Sequence, residues 1–124
     1  MTDSVENKYD GTGLCPATLA LALLSRKWSL HILMSLVRQD KPVRFGQLQR
    51  AIPGISQREL TKHLRDFEQS GLVRREVFAQ VPPRVEYALT PLGLSLLEPV
   101  TALHHWAERH GPAIEKHRLN KGKA

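Results

Sequence analysis

Residues 55–72 read ISQRELTKHLRDFEQSGL, and this stretch decides the fold because local chemistry specifies its start, its face and its end. Ser56 can take an N-cap, its hydroxyl accepting from the amide of Glu59, while the Glu59 carboxylate returns to the amide of Ser56. Ile55 and Leu60 occupy the two positions of a hydrophobic staple around that cap. At the other end Gly71 can adopt the left-handed C′ conformation, and Leu72 can fold back on Phe67 in a Schellman ending. The spacing predicts a helix over 57–70. Leu60, Leu64 and Phe67 then share one buried stripe at 3.6 residues per turn. Arg58, Lys62, Arg65 and Gln69 lie opposite, flanked by Gln57 and Thr61.

The neighbouring segments turn that helix into a recognisable device. Phe45, Leu48 and Ile52 line one side of a short upstream helix that the turn dipeptide Pro53-Gly54 closes. Two helices joined by so short a connection make an αα-corner, the helix-turn-helix. Downstream, Leu72 to Phe78 alternates, and Arg84 to Leu89 puts Val85, Tyr87 and Leu89 on one side, so a β-hairpin is expected. Between its strands, Ala79-Gln80-Val81-Pro82-Pro83 suits a stiff projecting tip and would not suit a central strand. Thr90 can cap the next helix with Pro91 at its first position. The expected fold is mainly α with a small β-hairpin (α+β), a winged helix-turn-helix with its wing at 72–90.

These residues carry a family resemblance. The chain resembles HxlR-type winged-helix transcriptional regulators, a group related to MarR-type regulators. The matching stretches are Cys15-Pro16, Arg26-Lys27-Trp28-Ser29, Ile32-Leu33, Phe45-Gly46-Gln47-Leu48 and Ile52-Pro53-Gly54-Ile55-Ser56. They continue through Leu60-Thr61, Leu64, Gly71-Leu72-Val73, Val81 to Tyr87 and Leu89-Thr90-Pro91-Leu92-Gly93. The resemblance implies a homodimer on operator DNA and leaves the effector open.

Charge agrees with a polyanionic partner. The net charge is +6, and residues 38–84 hold ten Lys/Arg against five Asp/Glu. The expected DNA-contacting set is Ser56, Gln57, Arg58, Thr61, Lys62 and Arg65 on the helix, plus Arg84 after the wing tip. The partner is double-stranded DNA carrying a pseudo-palindromic operator, with repression the expected sense. A solvated helix face would also favour Arg, Lys and Gln, and only the flanking elements weigh against that reading. A winged helix that grips protein, or structured RNA, is the alternative.

One domain is expected over residues 14–111, between an acidic, flexible stretch at 1–13 and a basic, unstructured tail at 112–124. No run approaches the ~20 apolar residues of a membrane span, so a cytoplasmic protein is expected. The first and last helices carry more apolar residues than a chain this short easily covers, and Leu19, Leu23, Leu96, Val100, Leu103 and Trp106 are expected to face a second copy. Packing of those helices on each other in a monomer is the competing arrangement. A kink is expected at Pro99. Cys15, the single cysteine, falls at an N-cap before Pro16, where free amides and the dipole favour a thiolate, so an oxidant or electrophile sensor is weighed against a buried, inert thiol. Some regulators of the resembled family use a cysteine at this place in that way. His104, His105 and His110 lack the i, i+4 partnership with a carboxylate that zinc enzymes use. No metal, cofactor or catalytic constellation is expected, and an enzyme is not.

Overall fold

The computed structural model describes residues 15–123. Its elements run α1 (Pro16–Leu24), α2 (Ser29–Gln39), β1 (Val43–Arg44), α3 (Phe45–Ala51), α4 (Gln57–Gln69), β2 (Val73–Phe78), β3 (Arg84–Leu89), α5 (Pro91–Leu94) and α6 (Leu97–Lys123). This is the expected α+β winged helix-turn-helix. The acidic stretch at 1–13 lies outside the described residues.

Burial organises the core around α4. Leu60, Leu64 and Phe67 are buried as their spacing requires, against Ile32, Leu33 and Leu36 of α2, Leu48 and Ile52 around α3, and Val43 and Val73 of the sheet. Thirteen buried apolar side chains form one cluster, and Leu23, Leu24, Phe45, Tyr87, Leu89 and Leu96 lean on it. His63 is a packing residue: its ring stands edge-on to Phe67 and Nδ1 lies 2.8 Å from the Glu59 carbonyl oxygen. That contact requires the proton on Nδ1.

The sheet holds one strand more than the alternation predicts. β1 pairs antiparallel with β3, Val43 opposite Tyr87, giving the order β1-β3-β2. Two residues carry no periodic signal, and their partner lies more than forty positions downstream. The hairpin register sets Val73 against Leu89 and Phe78 against Arg84, leaving Ala79 to Pro83 as the exposed tip.

The hairpin's base is pinched shut. The Thr90 amide donates to the Leu72 carbonyl at 3.0 Å, the Thr90 hydroxyl to the Gly71 carbonyl at 2.6 Å, and the Gly93 amide to Thr90 Oγ1 at 3.0 Å. Gly93 allows this approach, since a Cβ there would stand 2.1 Å from the Leu72 carbonyl oxygen.

The last helix departs from expectation in two ways. The chain breaks at Ser95-Leu96, ahead of Pro99. Pro99 therefore falls in the first turn of α6, where no amide donor is required, and does not kink the helix. Helix then continues through Gly111 and Pro112 to Lys123, so the basic segment is not an unstructured tail. Pro112 is the interior proline, depriving the Glu108 carbonyl of its usual donor. Among the described residues, no single helix is long and apolar enough to cross a membrane.

Candidate nucleic-acid interface

The site is built on the start of α4. Ser56 is extended (φ −82°, ψ 160°), its Oγ accepts from the Glu59 amide at 3.0 Å, and Glu59 Oε1 accepts from the Ser56 amide at 3.1 Å. Both bonds of the expected capping box are present. The other end closes as a Schellman motif: Gly71 has φ +78°, its amide reaches the Glu68 carbonyl at 3.0 Å, and the Leu72 amide reaches that of Phe67 at 2.9 Å. Both ends of this helix are thus fixed, so the side chains on its outer face are held in register.

That outer face is a shallow concave surface lined by Ser56, Gln57, Arg58, Thr61, Lys62, Arg65, Asp66 and Gln69. Six of the seven residues singled out as DNA contacts come together there. Gln57, Arg58, Lys62, Arg65 and Gln69 are exposed. Thr61 Oγ1 donates to the Gln57 carbonyl at 2.8 Å, which orients the hydroxyl and leaves its lone pairs as acceptors. Three cations and two amides in one depression match phosphate oxygens and base edges in charge and in hydrogen-bonding capacity.

Arg84, the seventh, is placed elsewhere. Its guanidinium lies over the Phe78 ring, 4.2 Å from the centroid, and Nε approaches Glu86 Oε2 at 3.3 Å without hydrogen-bond geometry. The wing thus spends much of this charge on itself. Sequence reading missed Arg75, which is exposed on β2 and shares a cleft with Thr61, Arg65 and Tyr87 beside α4. Strand alternation held a signal, since it set Arg75 on the same side as Val73, facing the recognition helix.

The other residues singled out divide. Leu19, Leu103 and Trp106 are exposed at 66, 50 and 47%, whereas Val100 is buried and Leu23 and Leu96 lean on the chain's own core. Those last three are taken up within one chain, while Leu21 in α1 and Leu97 and Ile114 in α6 are exposed. Cys15 is half-buried at the N-cap of α1, its carbonyl accepting from the Thr18 amide at 2.8 Å. His104 lies 3.5 Å from Glu108 on an exposed helix face, a surface pair without the second histidine of the zinc pattern. Among the described residues no three His, Cys, Asp or Glu side chains form a metal cradle.

The model of the HxlR-like helix-turn-helix family matches residues 23–115. An uncharacterised HTH-type transcriptional regulator of Methanothermobacter thermautotrophicus is 40% identical over 119 residues, covering 96% of this chain and 86% of its own. A transcriptional regulator of the MarR family from Enterococcus faecalis V583 superposes with a TM-score of 0.70 at 42% identity, covering 81% of this chain and 89% of that one. The redox regulator HypR in its reduced form superposes with a TM-score of 0.73 at 37% identity, covering 82% and 98%.

Proposed function

This chain belongs to the HxlR-like helix-turn-helix family of transcriptional regulators, and from that premise we propose that it binds a pseudo-palindromic operator as a homodimeric repressor in the cytoplasm. The observation that carries this reading is the concave cationic face of α4, with Arg58, Lys62 and Arg65 converging on a helix capped at both ends. α4 enters the major groove, its N-terminal residues Gln57, Arg58 and Thr61 reach base edges, and the wing lies along the adjacent backbone. Selection of bound duplexes from a random pool tests the reading. An inverted repeat with half-sites about 34 Å apart is expected. Equal retention of RNA of the same sequence would favour the RNA alternative.

The same reading gives Cys15 a sensory role. One similar structure is that of a redox regulator, and Cys15 lies at the start of α1, the helix that exposes Leu19 and Leu21. Oxidation to a disulfide with a second subunit or with glutathione alters α1 and thereby the spacing of the two recognition helices. Cys15→Ser is expected to keep DNA binding and lose any response to diamide. A wild-type affinity indifferent to diamide leaves Cys15 structural, as does a thiol titrating near its ordinary value of about 8.5.

A further inference from the structure

The corner between α1 and α2 touches the recognition helix at two points. Arg26 Nη1 donates to Asp66 Oδ2, and the Trp28 indole Nε1 donates to Glu59 Oε2 at 2.9 Å. The two carboxylates lie seven positions apart on one flank of α4, which is two turns and about 10 Å along the axis. Leu60, Leu64 and Phe67 hold the inner side of α4 in the core, and the two contacts hold its flank. Two contacts at that separation restrain both its rotation and its slide.

The two carboxylates differ in what they face. Glu59 is tied into the helix cap, whereas Asp66 shares the concave face with Arg58, Lys62 and Arg65, its side chain 44% exposed. A bare carboxylate among those cations would repel DNA phosphates and draw off Lys62 or Arg65. Arg26, reaching in from the corner, supplies the opposing charge.

We propose that Arg26 and Trp28 serve DNA recognition without touching a base: together they clamp the recognition helix two turns apart, and Arg26 cancels the carboxylate on its DNA-facing surface. The inference rests on the DNA-binding reading. Its test uses the full chain and two probes, a duplex recovered by the wild-type protein from a random pool and a scrambled duplex of equal length. Arg26→Gln is expected to weaken both complexes about three- to tenfold at low salt and to lower the salt slope by about one. The Arg26→Gln/Asp66→Asn double variant is expected to regain the slope and the affinity for the scrambled duplex, while its ratio of selected to scrambled affinity stays below wild type because one of the two contacts is still missing. Trp28→Phe keeps an aromatic ring and loses the donor, so it is expected to lower the ratio of selected to scrambled affinity with the slope unchanged, because base contacts need the helix azimuth more than phosphate contacts do. Arg26 and Asp66 are both half-exposed, so their variants should stay folded by circular dichroism, whatever becomes of Trp28→Phe. An unaltered salt slope in Arg26→Gln overturns the masking role, as does a double variant that regains nothing. A Trp28→Phe protein that stays folded with an unchanged affinity ratio overturns the clamp. Should the wild type retain no duplex at all, the DNA reading itself fails, a result distinct from variants that bind the selected duplex as wild type does.

Discussion

Glu59 accepts at both carboxylate oxygens, from the Ser56 amide and from the Trp28 indole. The Ser56 amide, then the indole and the Ser56 hydroxyl, hold its carboxyl below the ordinary value, with Lys27 adding positive charge. A carboxylate depressed in this way stabilises the fold above its unfolded-state pKa, and the contribution is lost as pH falls through the folded one. Urea denaturation should therefore find Glu59→Gln less stable than wild type near neutrality, with the gap closing as pH falls through the lowered folded-state pKa. A constant gap would refute this. On the outer face, Arg58→Ala or Lys62→Ala should cost on the order of 1–3 kcal/mol of operator binding where the side chain reads a base. Arg75→Ala should lower the salt slope by about one, and Arg84→Ala by less, because Phe78 and Glu86 already engage its guanidinium. Equal slopes for the two variants would place Arg84 on phosphate in the complex.

Among the elements, those ended by their own residues were legible and those ended by distant partners were not. Ser56 with Glu59, and Gly71 with Leu72, stand within a few positions of each other, so α4 could be drawn from local chemistry to within a residue. Ser56→Ala should accordingly cost about 1 kcal/mol of stability in denaturant titrations. β1 escaped notice because two residues make no pattern and their partner β3 is remote in sequence. The Arg26–Asp66 and Trp28–Glu59 contacts, 40 and 31 positions apart, were likewise beyond any periodicity. Pro99 misled because a proline's effect depends on where its helix starts, and the break at Ser95-Leu96 put it in a first turn. The segment from 112, expected as an unstructured tail, is helix that runs on through Gly111-Pro112. Gly93→Ala tests the tightest element junction. A methyl 2.1 Å from the Leu72 carbonyl must push α5 off the hairpin base, and a thermal midpoint unchanged from wild type would show that the junction yields freely.

For the molecule as a whole, α6 is the element with least support from its own chain. Val100 is buried, while Leu97, Leu103, Trp106 and Ile114 face outward along the helix and α1 exposes Leu19 and Leu21. Apolar area of that extent is the usual mark of an interface, and a second copy is the occupant proposed above. Leu103→Glu should give monomers by light scattering and lose tight operator binding. An unmutated protein that is monomeric at micromolar concentration would remove the dimer. The wing presents the opposite situation. Because Leu72 and Thr90 are bonded to each other at its base, everything from 73 to 89 is a loop whose ends are already joined, and its tip bears no part of the core. Its length is therefore a free parameter of the architecture. Duplications, deletions or a grafted protease site at 79–83 can accumulate there while the helices keep their places, so descendants of such a chain can acquire new reach along DNA without having to learn to fold again.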